Sequence, residues 1–135
     1  MAGYSGTALW KKLGYKAGTA AWVDGAPPPY RAQLQLPADI EVTWLKAPRA
    51  GMPFVHVFVS SAASLMAKLK AYRGKLDPAG VIWVSWPKKS SGVPSDVTED
   101  TVRELALPLG LVDIKVCAVD EVWSGLKLMI RKELR

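Results

Sequence analysis

The chain has 135 residues, of which 50% are hydrophobic and 22% charged, a composition that predicts one globular domain over residues 1–135. A single cysteine and a single histidine exclude an internal disulfide and a Cys/His zinc site. Residues 1–9 show no signal-peptide pattern, and the longest uncharged stretch, residues 50–67, is interrupted by a proline and a histidine. We therefore expect a cytoplasmic protein without a membrane span. The formal net charge of +6 is compatible with an anionic partner.

Two short helices and three strands are predicted in the first sixty residues. Gly14 ends the first helix, and Gly25 with the prolines that follow it ends the first strand abruptly. The next two strands are rich in apolar and β-branched residues, as buried parallel strands are. In chain order, these elements are a helix over residues 7–13, a strand over 19–24, a helix over 30–36, and strands over 40–46 and 54–60.

The rest of the chain predicts two helices and three strands. Ser60 or Ser61 caps a helix that runs to Arg73, and Asp96 or Thr98 starts another that Pro108 and Gly110 end. The apolar stripe of the first of these helices comprises Leu65, Met66, Leu69, Tyr72 and Leu76. A turn over residues 77–80 and a strand over 81–86 lie between the two helices, and strands over 111–119 and 123–131 form a closing hairpin.

Strands that alternate with helices predict right-handed crossovers and a parallel sheet. The predicted fold class is therefore α/β, a Rossmann-like mixed sheet, mostly parallel, with helices on both faces and an antiparallel β-hairpin at its end. The segment FVHVFVSSAASLMAKLKAYRGKLDPAGVIWVSWPKK, with the helix and hairpin that follow, resembles the final part of class I S-adenosylmethionine-dependent methyltransferases. This resemblance implies the fold more than the activity.

A second resemblance covers nearly the whole chain. The opening MAGYSGTALWKKLG, together with WVSWPKKSSGV, DVTEDTVRE, LALPLGLVDIKVCAVDE and WSGLKL, is similar to a family of small bacterial proteins of unknown function. This similarity implies no particular activity.

The first half departs from the methyltransferase pattern where that family binds its cofactor. A glycine-rich loop there follows the first strand, and an acid that ends the second strand binds the ribose hydroxyls. Here Asp24 and Gly25 lead into three prolines, and the second strand is followed by Lys46 and Arg49. The helix after the first strand and the family's third strand unit are shortened or missing. We therefore predict no cofactor, and methyl transfer only as an alternative.

Ligands of open parallel sheets bind beyond the carboxyl ends of the strands, so the residues there are candidates. Two lysines and two serines follow the strand over residues 81–86, and this combination suits a phosphate or carboxylate. The predicted anion site is a basic rim of Lys46, Arg49, Lys88, Lys89, Ser90 and Ser91. A possible pocket beside it comprises Asp24, Gly25, Ser85, Trp86 and Trp123. The alternatives are a solvated loop for the rim and core packing for the tryptophans.

No catalytic residue is predicted. His56 lies between apolar neighbours in mid-strand and suits a hydrogen-bonded core imidazole, Cys117 suits a structural role, and Asp120 and Glu121 suit a solvated turn. Our preferred interpretation is a non-catalytic binding or adaptor domain whose basic rim meets an anionic small molecule or a protein partner. The alternatives are a degenerate S-adenosylmethionine-dependent methyltransferase and a weak nucleic-acid-binding protein. The sequence leaves the oligomeric state open.

Overall fold

A computed structural model describes residues 6–135. Its strands are β1 (Thr19–Asp24), β2 (Val42–Trp44), β3 (Met52–Phe58), β4 (Leu76–Pro87), β5 (Leu111–Ala118) and β6 (Trp123–Ile130). Its α-helices are α1 (Leu9–Leu13), α2 (Tyr30–Leu34), α3 (Ala62–Arg73) and α4 (Glu99–Ala106). Short 3-10 turns cover Lys89–Ser91, Leu107–Leu109 and Lys132–Leu134.

The six strands form one mixed sheet in the order β2-β1-β3-β4-β6-β5. The first four strands pair in parallel, β6 runs antiparallel to β4, and β5 and β6 form the antiparallel hairpin. The α/β fold class, the mostly parallel sheet and the closing hairpin are thus confirmed. The helix after β1 has only five residues, and β2 is a three-residue edge strand, as the shortened first half of the sequence indicates.

Helices cover both faces of the sheet. We call these the α3/α4 face and the α1/α2 face, after the helices that pack on them. Along β4, Ile82, Val84 and Trp86 lie in the core of the α3/α4 face, whereas Trp83 lies in the core of the α1/α2 face. Because successive strand residues point to opposite faces, a strand buried on both sides is apolar along its whole length.

The helix starts follow from their capping residues. Thr98, not Asp96, caps α4, because its hydroxyl accepts from the Thr101 N–H and Thr101 Oγ1 accepts from the Thr98 N–H. Asp96 instead accepts a hydrogen bond from the N–H of Ala62 at 2.7 Å, at the start of α3, where Ser61 is the cap. The loop before α4 therefore ties the two helices of this face together.

Two local predictions are wrong. Residues 77–80 do not separate two elements but lie inside β4, which advances five residues from Leu76 to Val81 while β3 advances two, from Met52 to Phe54. The Asp77 carboxylate accepts from the Ala79 N–H at 2.8 Å, so the turn closes locally and strand pairing continues on both sides of it. Met66, predicted in the buried stripe of α3, is 42% exposed.

Within residues 6–135, no helix is long and apolar enough to cross a bilayer. The predicted absence of a secretion signal concerns residues 1–9. Of these, residues 1–5 lie outside the described residues. A cytoplasmic location remains a prediction.

Candidate functional site

The carboxyl ends of β1 and β3 form the switch point of the sheet, because strands are added on opposite sides of it. Asp24 ends β1, and its carboxylate accepts a hydrogen bond from Tyr72 Oη at 2.5 Å and pairs with Lys68 Nζ at 3.1 Å. Both partners lie on α3. Burial and the bond to Asp24 raise the pKa of Tyr72 to about 12, so the hydroxyl keeps its proton. Asp24 therefore docks α3 onto the sheet.

Gly25 allows the chain to turn immediately after β1. Its φ is +75°, and a Cβ at this position would lie 2.9 Å from the backbone oxygen of Phe58. The two strand ends thus pack directly on each other at the switch point. The three prolines that follow carry no backbone N–H, so this turn offers few donors to a phosphate or ribose.

Ser85 belongs to a buried hydrogen-bond network on the α1/α2 face. Its Oγ lies 2.7 Å from His56 Nε2. The other ring nitrogen lies 2.8 Å from Tyr30 Oη, which is 2.7 Å from Tyr15 Oη. Burial lowers the pKa of His56 to about 3, so the imidazole is neutral at pH 7 and has one donor and one acceptor nitrogen. This His56 network makes His56 a hydrogen-bonded core residue, as predicted, and leaves Ser85 closed to ligands.

The two tryptophans of the predicted pocket lie on opposite faces. Trp86 is 6% exposed in the core of the α3/α4 face. Trp123 packs on the α1/α2 face, with its ring centroid 5.1 Å from that of Phe58 in an edge arrangement. Because Asp24 meets α3 and Ser85 meets His56, the five predicted residues do not surround a common space. Each indole therefore packs against the hydrophobic core of its own face.

Lys88 and Lys89 follow β4 as expected but differ in role. The Lys88 ammonium donates to the backbone oxygen of Asp120 at 3.0 Å and so ties β4 to the β5–β6 turn. Lys89 and Ser90 are exposed on a single 3-10 turn, in which Ser91 Oγ donates to the Lys88 oxygen at 2.6 Å. A cavity of about 260 Å³ opens beside this turn, and its lining comprises Pro87, Lys89, Gly92, Val93, Pro94, Ser95, Val97 and Thr98.

Lys46 and Arg49 are exposed after β2. Two strands, β1 and β3, separate β2 from β4, which puts the strand ends about 14 Å apart at the usual spacing. Lys46 and Arg49 therefore follow a different strand from Lys88 and Lys89, and one continuous basic rim remains a prediction. We call Lys88, Lys89, Ser90 and Ser91 the β4 rim. Of the four predicted cations, Lys89 lies beside a cavity.

A second cavity lies on the α1/α2 face, between the start of α1, the end of α2 and the β5–β6 turn. This edge cavity has a volume of about 430 Å³ and lies beside the β5–β6 turn, which meets the carboxyl end of β4 where Pro87 pairs with Trp123. Its lining comprises Gly6, Thr7, Ala8, Leu9, Lys12, Gln33, Gln35, Val119, Asp120 and Glu121.

Hydrogen bonds fix the polar lining of the edge cavity. Lys12 Nζ donates to the Ala118 oxygen at 3.3 Å, and Gln33 Nε2 donates to Asp120 Oδ2 at 3.2 Å. The other Asp120 oxygen accepts from the N–H groups of Val122 and Trp123, each at 2.8 Å, and so shapes the turn. Gln33 Oε1 is buried and has no hydrogen-bond partner within residues 6–135. The amide is therefore only half satisfied, which is uncommon for a buried group.

No sequence pattern predicts this cavity, because its walls come from three distant segments. Asp120 and Glu121 were singled out as turn acids, but no pattern joins them to Lys12 or Gln33. In the part of the chain described, no three His, Cys, Asp or Glu side chains are grouped to hold a metal. Cys117 is buried beside the cavity wall, and burial raises the pKa of its thiol, which keeps it protonated.

The sheet has the Rossmann-like fold of S-adenosylmethionine-dependent methyltransferases. A SAM-dependent methyltransferase from Aquifex aeolicus matches with a TM-score of 0.66 and 14% identity, over 90% of this chain and 87% of that chain. The SAM-bound magnesium protoporphyrin IX methyltransferase of Synechocystis PCC 6803 matches with a TM-score of 0.59 and 9% identity, over 90% and 74%. LepI in complex with SAM matches with a TM-score of 0.56 and 14% identity, over 95% and 48%.

The chain therefore spans about half the length of LepI. At these identities, the likeness establishes the fold alone. Neither a scan against protein-family models nor a search of curated proteins finds a match. The resemblance to a family of small bacterial proteins remains a prediction.

Proposed function

We propose that the protein binds S-adenosylmethionine, or a close adenosyl relative, in the edge cavity. The observation that carries the proposal is an open cavity of about 430 Å³ at the carboxyl edge of a methyltransferase-type sheet. Ligands of open α/β sheets bind at this edge, and small-molecule sites have volumes of this order. The structural neighbours thus favour the methyltransferase-like alternative over the non-catalytic adaptor.

The polar lining suits the chemistry of this ligand. S-adenosylmethionine has a sulfonium, an ammonium and an adenine amino group, which seek acceptors or negative charge. The Asp120 carboxylate supplies negative charge and acceptor oxygens. The Lys12 ammonium suits the ligand carboxylate, and Leu9 and Val119 offer apolar contact to the adenine ring.

Binding is the property to establish first. Methyl transfer from a sulfonium depends mainly on aligning the acceptor atom with the methyl group, and no described residue beside the cavity has the arrangement of a general base. His56 is fully buried and both of its ring nitrogens are hydrogen-bonded within the core, so it does not reach a ligand in the edge cavity. The function proposed is therefore ligand binding, with transfer to an acceptor as a further question.

Titration calorimetry with S-adenosylmethionine, S-adenosylhomocysteine and ATP tests the proposal. Ala8→Phe places a ring in the edge cavity, and Ala67→Phe adds the same ring on the exposed side of α3. We expect S-adenosylmethionine binding to weaken at least tenfold in Ala8→Phe and to be unchanged in Ala67→Phe. Saturation at 100 times the Kd should stabilise the wild type by about 2.7 kcal/mol. No binding at millimolar concentration, or equal binding by Ala8→Phe, would reject the proposal.

A second candidate function is anion binding at the β4 rim. The cavity of about 260 Å³ beside exposed Lys89 supports it, and the ligand would be a small phosphate compound or an acidic segment of a protein partner. Lys89→Glu should abolish stabilisation by inorganic phosphate in a thermal-shift assay, whereas Lys70→Glu on α3 should leave it unchanged. Equal behaviour of the two variants would make Lys89 a solubility charge.

A further inference from the structure

Two lysines face each other across the β5–β6 hairpin. Lys115 of β5 is paired in register with Lys127 of β6, and Lys127 is paired with Trp83 of β4. Since Trp83 lies on the α1/α2 face, both lysines point to that face. Directly opposed Cβ atoms in a sheet are about 5 Å apart, and like charges at this distance are destabilising. The pair is therefore unfavourable for folding.

A third cation increases this repulsion. Lys16, in the loop between α1 and β1, acts on the Lys127 ammonium together with Lys115. Burial, followed by these two charges, lowers the pKa of Lys127. We call Lys16, Lys115 and Lys127 the lysine cluster. None of the three takes part in an ion pair within residues 6–135, where the ion pairs use Lys68, Arg103 and Arg131.

The surroundings of the lysine cluster extend its positive surface. Lys12 of α1 donates to the backbone oxygen of Ala118 at 3.3 Å, which places its ammonium against β5, the strand that carries Lys115. Lys11, the preceding residue, lies 5.5 Å from the ring centroid of Trp10. Beyond the cluster, β5 is the last strand of the sheet and exposes Ile114 and Val116. The surface is open, and none of the three cluster lysines lines either cavity.

We propose that the lysine cluster binds the phosphate backbone of a nucleic acid, without reading its sequence. An open surface with several unpaired ammonium groups suits an extended polyanion better than a small enclosed anion. Lysine binds phosphate as a point charge. The phosphate charges of a nucleic acid follow one another along the backbone at intervals as short as the distance between the two opposed lysines. A bound backbone would relieve the repulsion that the free protein carries. This inference is independent of the edge cavity and its ligand.

Fluorescence anisotropy with a labelled 20-nucleotide single-stranded DNA, at several salt concentrations, tests the proposal on the whole chain. The test variant is Lys115→Gln/Lys127→Gln, and the control is Lys70→Gln/Lys75→Gln, which removes two exposed lysines at α3 and its end. We expect the slope of log K against log salt, which is negative, to become less negative by about 1.4 in the test variant, since each lost phosphate contact contributes about 0.7. The control should keep the wild-type slope and bind within twofold of the wild type.

Folding is checked by thermal unfolding. Removing opposed like charges should leave the Tm equal or higher, so weaker binding by the test variant would not reflect unfolding. An equal loss of DNA affinity in the test and control variants would mean that only net charge matters and would overturn the proposal. Failure of the wild-type protein to bind the DNA at 50 mM salt would also overturn it. Displacement of the DNA by poly-glutamate at equal charge would assign the surface to acidic proteins instead. Unchanged S-adenosylmethionine binding in the test variant would separate this result from the edge cavity.

Discussion

The same strands build two faces of different character. On the α3/α4 face, the core is made of apolar and aromatic side chains, and its polar atoms include the Tyr72 hydroxyl that holds Asp24 and the buried indole nitrogen of Trp22. On the α1/α2 face, the core surrounds the His56 network, and the edge cavity and the lysine cluster lie on the same side. Strand alternation directs the strand residues to one face or the other, and the helices that pack on each face supply the rest. One layer therefore mainly stabilises the sheet, whereas the other combines packing with a buried polar network, an open cavity and surface charge.

The largest expected effect of a single substitution tests the stabilising layer. Leu69 of α3 is fully buried in the α3/α4 face. Leu69→Ala should lower the free energy of unfolding by about 3 kcal/mol, because it removes apolar contacts and leaves a cavity. Urea unfolding followed by circular dichroism measures this change. A loss below about 1 kcal/mol would show that the layer repacks freely and would remove the distinction between the faces.

Acid should act through the other layer. The pKa of His56 is about 3 in the folded protein and about 6.5 when unfolded, so the unfolded chain binds the extra proton first as the pH falls. This contribution to stability is complete above pH 6.5 and is lost between pH 6.5 and about 3, at about 1.4 kcal/mol per pH unit. Urea unfolding at several pH values between 7 and 4 measures the slope.

His56→Phe is the matched control for that experiment. It should be less stable at pH 7 by about 2 kcal/mol, because Ser85 Oγ loses its partner and Tyr30 loses one of two. Its stability should then change less steeply with pH than that of the wild type. Parallel pH profiles for the two proteins would mean that other groups dominate acid unfolding.

An effect smaller than that of Leu69→Ala is expected where the ends of β1 and β3 pack on each other. Gly25→Ala should destabilise the protein by about 2 kcal/mol, because φ is positive and the new Cβ would press on the Phe58 oxygen. Gly18→Ala is the control, since φ is +84° there but no atom lies within 4 Å of the new Cβ. Thermal unfolding compares the two. Equal losses would show that backbone strain, rather than the contact between β1 and β3, determines the effect.

Much of the fold followed from periodicity, but little of the candidate site did. The alternation in β4, the buried His56 and the closing hairpin depend on local pattern, which the sequence displays directly. The edge cavity depends on where α1 and α2 dock, and docking brings together residues from distant segments. The pairing of Lys115 with Lys127 depends on an irregularity in register after Asp113, which moves every later residue of β5 relative to β6. Neither the composition of β5 nor the spacing of its apolar residues predicts this change of register.

The His56 network also has a direction. A neutral imidazole donates at one nitrogen and accepts at the other, so the tautomer of His56 sets the hydroxyl of Ser85 on one side and that of Tyr30 on the other. Tyr30 in turn sets Tyr15. Reversing the order requires the protons to move together, since a single reversal would leave two donors or two acceptors facing each other. The core of the α1/α2 face therefore holds one row of coupled protons, and all four side chains that share it are buried away from solvent.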